Sequence, residues 1–215
     1  MLHQIYGIIA SGKSTLTEKL AEELKGKLWV ERFKENPFQG LYYQAMRSDG
    51  ENYNPYSMPL QLMYFQLYFE QNERVLDTID KIHIQDGGVY SGLAFCKTQF
   101  KEGMMTQRQY NFIYDVFKTM REELDITSNI YYLDINPELA HKRMLNRCIE
   151  EDDRELESEI PLNYLNLLDD SYREVFEELN LDVTFVNVDP MSKEESVSFF
   201  KKEIMYWEDK NQKNA

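Results

Sequence analysis

Apolar positions along this chain follow two rhythms. Short runs rich in β-branched and aromatic residues occur at Gln4 to Tyr6, Lys27 to Glu31, Ile82 to Asp86, Asn129 to Leu133 and Val183 to Val188. Runs this short, bounded by polar or glycine-containing stretches, predict strands. Between them apolar residues recur every three or four positions, the spacing of one helix face. This predicts helices over Lys13 to Leu24, Pro59 to Asp77, Thr106 to Leu124, Pro137 to Arg147, Pro161 to Leu179 and Ser192 to Trp207, with Thr106 as an N-cap. Strands alternating with helices at this spacing imply an α/β domain: a five-stranded parallel sheet flanked by helices on both faces. In such sheets ligands bind at the carboxyl ends of the strands. Attention therefore falls on 7–15, 31–37, 86–92 and the segment after Leu133.

The first of these segments carries a motif. Gly7-Ile8-Ile9-Ala10-Ser11-Gly12-Lys13-Ser14-Thr15 has the pattern Gly-x-x-x-x-Gly-Lys-Ser, between a strand and a helix. Gly7 and Gly12 let backbone N–H groups turn inward around an anion, and the helix start adds partial positive charge. Lys13 can reach the outer phosphates of ATP, Ser14 can offer its hydroxyl to Mg²⁺, and Ser11 and Thr15 complete the cradle. Glu31, after the second strand, shares the crevice with Lys13 and has the chemistry to take a proton from an attacking hydroxyl.

The remaining landmarks appear in order: "VERFKENPF" from Val30, "YYQAM" from Tyr42, "PLQLMYF" from Pro59, "QDGGVYSG" from Gln85, "HKRMLNR" from His141 and "IPLNYL" from Ile160. With the phosphate loop, this order resembles the deoxynucleoside kinase family, closest to its bacterial deoxyadenosine and deoxyguanosine kinase branch and viral relatives. The resemblance spans Gly7 to about Phe176. It implies a P-loop kinase domain over 1–208 with a lid at about 147–160, followed by a tail over 209–215. It implies ATP and Mg²⁺ as cofactors, a deoxynucleoside as acceptor and a homodimer. Glu31 resembles the base on the 5′-hydroxyl, Gln61 the glutamine that pairs with the nucleobase, and Tyr43 the contact to the sugar 3′-hydroxyl. Phe33 and Phe38 resemble pocket walls, Asp86 with Ser14 the metal-facing pair, and Arg143 and Arg147 the lid arginines. Glu151 or Asp152 stands where a lid acid on the sugar is expected, within an acidic insertion over 150–155. The stripe Tyr64, Phe65, Tyr68 and Phe69 suits a dimer face but reads more simply as core.

The chain also departs from that pattern. Gly87 stands in place of an arginine, Gly88 of a serine and Gly92 of an acid. Tyr68, seven after Gln61, replaces a second arginine, and Ile149 a lid arginine. Glycine supplies no charge and no donor fork. Either Arg32 or a lid arginine replaces the missing guanidinium, or turnover is reduced. Restoring Gly87→Arg is expected to raise the rate if position 87 still faces the acceptor. Two readings from other classes stay open. A thymidylate-type monophosphate kinase would need a basic clamp after the second strand, where only Arg32 and Lys34 stand. A non-catalytic nucleotide-binding subunit would have no need of Glu31.

Composition narrows the setting. The 215 residues carry a net charge of −14, so sequence-independent nucleic-acid binding is disfavoured. Only Cys96 and Cys148 are present, with neither metal-ligand spacing nor a disulfide framework. No apolar run is long enough for a membrane span, and the amino terminus lacks the features of a leader. A cytoplasmic protein without membrane attachment is expected.

Overall fold

The computed structural model describes residues 1–46, 52–78, 81–123, 126–150 and 157–212. The chain runs β1 (Leu2–Tyr6), α1 (Lys13–Leu24), β2 (Lys27–Trp29), a 3₁₀ turn (Phe33–Glu35), α2 (Gln39–Met46), α3 (Ser57–Leu76) and β3 (His83–Asp86). It continues through α4 (Val89–Lys101), α5 (Gln107–Glu123), β4 (Ser128–Asp134), α6 (Pro137–Glu150), α7 (Leu162–Glu178), β5 (Val183–Asn187) and α8 (Lys193–Gln212). The strands form one parallel sheet in the order β2-β3-β1-β4-β5.

β1 is central and buried throughout, as a strand covered by helices on both faces must be. Its register pairs Ile5 with Asp86 on one side and with Tyr131 on the other. β2 is an edge strand whose ladder to β3 ends at Trp29 opposite Gln85. It stops at Trp29, so Glu31 lies in the loop beyond it rather than as its last residue. The carboxyl ends of β2, β3 and β1 thus lie side by side, and Glu31, Asp86 and the phosphate loop all leave from that edge.

A buried amide chain crosses the interior. Ser128 Oγ donates to Gln4 Oε1 (3.0 Å), Gln4 Nε2 to Gln85 Oε1 (2.6 Å) and Gln85 Nε2 to Gln71 Oε1 (3.0 Å). Gln71 Nε2 then donates to the carbonyl of Val30 (2.7 Å). Buried amides are tolerable only when paired in this way. The chain ties β4, β1 and β3 through α3 to the residue before Glu31.

Three helices depart from expectation. α4, for which no helix was expected, starts directly after Gly87 and Gly88 and is buried on most of its circumference, which erases a one-sided stripe. α2 is too short to show periodicity. α8 continues as helix through Gln212, into the segment expected as a tail. Tyr64, Phe65, Tyr68 and Phe69 are all buried core. Among the described residues, no helix is long and apolar enough to cross a membrane.

Candidate active site

Tyr6 hands the chain to the phosphate loop, and Gly12 caps α1 with φ +99°, a conformation in which glycine is at ease. The loop closes on itself through the Ser11 N–H to the Ile8 carbonyl (3.2 Å). Lys13 Nζ donates to the carbonyls of Gly7 (2.8 Å) and Ile8 (2.9 Å), which hold the ammonium over the loop. Burial lowers the Lys13 pKa, while Asp86 and Glu31 oppose that shift and Arg147 adds to it. Ser14 and Thr15 are exposed at the mouth.

A cleft of about 520 Å³ runs from this loop toward α3 and the lid. Its lining brings Ser11, Gly12, Lys13, Ser14 and Thr15 together with Glu31, Phe33, Tyr43, Gln61, Arg143 and Arg147. Phe38 is not among the lining residues and packs on the core. A second hollow of about 330 Å³ beside it is lined by Ser14, Glu31, Arg32 and Asp86.

Three consecutive residues after β2 are each gripped by α3. Gln71 holds the Val30 carbonyl, the Tyr68 hydroxyl donates to Glu31 Oε1 (3.0 Å), and Arg32 pairs with Glu70 (2.7 Å). Arg32 also pairs with Glu35. Its guanidinium is therefore committed at the edge of the second hollow, which argues against its standing in for the arginine absent at position 87. Asn36 Nδ2 completes the grip on the Leu60 carbonyl (3.0 Å).

Gln61 is 2% exposed, and its Oε1 has no hydrogen-bond partner although it lines the cleft. An orphaned buried acceptor is costly and suits a ligand donor. Tyr43 is held by Gln39 Nε2 (3.4 Å), and Gln39 Oε1 accepts from the Tyr64 hydroxyl (2.6 Å). Asp86 is 3% exposed and its Oδ1 is likewise without a partner. No cluster of three or more His, Cys, Asp or Glu side chains suited to a metal occurs among the described residues. One buried acid with an orphaned oxygen, plus the Ser14 hydroxyl lining the same hollow, fits the few oxygen donors that a protein supplies to a cation carried mainly by phosphates.

On the lid side, α6 presents Arg143 and Arg147 to the cleft. Arg147 forms an ion pair with Glu157, which is 8% exposed and lines the cleft as well. Glu151 and Asp152 lie outside the described residues. Glu157 is a cleft-lining acid that the sequence reading did not single out. Counting back from Ile160-Pro161-Leu162, whose first carbonyl accepts from His141 Nε2 (3.2 Å), would have found it. Ile149 is 84% exposed and supplies nothing to the site.

The glycines are not slack. Gly87 has φ +72°, and a Cβ there would lie 3.2 Å from Tyr68 Oη and 3.1 Å from Ser91 Oγ. A Cβ at Gly92 would lie 3.1 Å from the Phe65 ring, and one at Gly88 would collide with the Tyr6 hydroxyl. Each missing side chain is matched by a ring in its space.

A phosphate loop facing an acid across a cleft, under an arginine-bearing helix, defines a P-loop phosphotransferase. The family model for deoxynucleoside kinase matches residues 4–207, and the chain belongs to that family, whose members phosphorylate deoxynucleosides with ATP. The chain is 24% identical over 184 residues to a deoxyadenosine kinase of Dictyostelium discoideum, covering 86% of this chain and 70% of that protein. It is 28% identical over 185 residues to a deoxyguanosine kinase of the same organism, covering 80% of this chain and 58% of that one. The fold is that of deoxyadenosine kinase from M. mycoides with bound dATP: TM-score 0.79, 19% identity, covering 95% of this chain and 99% of that one.

Proposed function

We propose that this chain transfers the γ-phosphoryl group of ATP to the 5′-hydroxyl of a deoxynucleoside, with Glu31 as the base. The observation that carries this reading is one cleft whose lining brings together Lys13, Glu31 and Gln61. The phosphate loop and Lys13 hold the triphosphate. Lys13 rests on its own loop carbonyls and exchanges them for phosphate oxygens. Gln61 offers its orphaned carbonyl to the base edge, and Tyr43, fixed through Gln39, with Glu157 faces the sugar. Glu31 accepts the 5′-hydroxyl proton as the new O–P bond forms and the bond to the bridging β–γ oxygen breaks. Arg143 and Arg147 stabilise the charge on the group in transit and exclude water from it. Asp86 and Ser14 would hold Mg²⁺, which supplies neutralisation of phosphate charge.

Among the described residues, the cleft-lining side chains contributed by α2, α3 and α4 are uncharged, with amides and hydroxyls such as Gln39, Tyr64 and Gln99 beside Gln61 in that set. Base selection therefore rests on neutral hydrogen bonds. The test is turnover on a panel of deoxynucleosides and monophosphates with ATP-Mg²⁺, for the native chain and Glu31→Gln. Nucleoside turnover that falls to a small residual rate in Glu31→Gln is expected. Turnover confined to monophosphates, or retained in the variant, overturns the assignment.

A further inference from the structure

We propose that Tyr68 is the positioning residue for the Glu31 carboxylate, and that Gly87 is the space that lets it be one. The inference deepens the reading of Glu31 as the base and rests on it. The Tyr68 hydroxyl donates to Glu31 Oε1 at 3.0 Å. The residue is 3% exposed, and its ring stacks on Tyr64 with centroids 6.2 Å apart and planes 25° apart, so the hydroxyl has little freedom. Burial, reinforced by the negative charge of Glu31, pushes the phenol well above its ordinary pKa, so it stays a donor.

The geometry at position 87 makes the arrangement conditional. Tyr68 Oη lies 3.2 Å from where a Cβ of residue 87 would stand, so a larger residue there would crowd the same hydroxyl that donates to Glu31. The same helix pins the neighbours of Glu31 on both sides, through Gln71 to Val30 and Glu70 to Arg32. Backbone and side chain of the base are thus fixed by one rigid element. With Oε1 occupied by the phenol, the carboxylate is held in a single orientation for the acceptor proton. A phenol does this without adding charge next to Lys13.

A double-mutant cycle tests the proposal: the native chain, Tyr68→Phe, Glu31→Gln and the pair, each with kcat, KM for both substrates and Tm. Tyr68→Phe removes only the hydroxyl. Its loss is expected to lower kcat about 10- to 100-fold, the range for a hydrogen bond to a charged group, with the ATP KM unchanged. In the Glu31→Gln background the same change is expected to have no further effect on the residual rate. An unchanged kcat in Tyr68→Phe, with Glu31→Gln inactive, overturns the positioning role and leaves the base in place. Equal losses in both backgrounds also overturn it, since the hydroxyl would then act independently of Glu31. Full turnover in Glu31→Gln removes the base assignment and this inference with it.

Discussion

Gly87→Arg would return to the end of β3 the guanidinium that the family pattern places there, and the structure implies that it lowers activity. Residue 87 has φ +72°. A side chain in that region costs about 1–2 kcal/mol, and at about 2–4 °C per kcal/mol for a domain of this size Tm should fall by roughly 2–8 °C. The new Cβ would meet Ser91 Oγ at 3.1 Å and Tyr68 Oη at 3.2 Å. The serine hydroxyl can rotate aside; the tyrosine can yield only by moving its buried ring. The Tyr68–Glu31 bond is already 3.0 Å, at the long end of the normal O–H···O range, so a shift of a few tenths of an ångström disturbs it. A hydrogen bond to a charged acceptor is worth about 1.5–3 kcal/mol, so kcat should fall about 10- to 100-fold. The assay is ADP release with saturating deoxynucleoside, beside a thermal melt, for Gly87→Ala and Gly87→Arg. Both variants should lose activity, because the Cβ alone makes the contact. An arginine variant that turns over faster than the native chain, with unchanged Tm, would refute the reasoning.

Further expectations concern the interior. Gly92→Asp should not restore base reading, because its Cβ would lie 3.1 Å from the ring of fully buried Phe65. A carboxylate placed there is desolvated, and a loss of about 2 kcal/mol or more should appear as a lower urea midpoint; an unchanged midpoint would show that the site can open. His3 and His83 both have pKa values lowered from 6.5, chiefly by burial. Trp29 Nε1 donates to His83 Nδ1 (3.0 Å), so that nitrogen must be unprotonated. Unfolded imidazoles bind protons more readily than these folded ones, so stability rises with pH through the window below 6.5 and is lost on acidification. Each contributes at most about 1.4 kcal/mol per pH unit in that window. Tm measured from pH 7.5 to 5.5 should decline and decline less in His83→Gln; identical profiles would rule out His83 as a source.

How much of this the sequence disclosed depended on whether the cause was local. The phosphate loop and α1 were legible residue for residue, because glycine conformation, a lysine and a helix start all lie within one stretch of chain. Gln61 was named through the family resemblance; what the structure adds is that it is buried, lines the cleft and carries an orphaned oxygen. α4 was hidden because burial on most sides leaves no stripe. Arg32 was a candidate substitute only until its partner appeared, and Glu70 is distant in sequence. Glu157 was not singled out because its partner Arg147 lies on α6, across the acidic insertion over 150–155. The glycines at 87, 88 and 92 read as lost equipment. Their counterparts Tyr68, Tyr6 and Phe65 come from other elements and become visible only in three dimensions.

Those three pairings also constrain how the sequence can change. Each ring occupies the volume that a side chain at its glycine would need, so neither partner can be exchanged alone without a clash or a void. A reversion at 92 crowds the ring opposite, and shrinking that ring first opens a cavity; at 87 and 88 the positive φ adds a backbone cost that no change in the ring relieves. The glycines and the rings are thus entrenched as pairs. A return to the charged arrangement requires two coordinated replacements at every position, and a library of single substitutions would not find the route back.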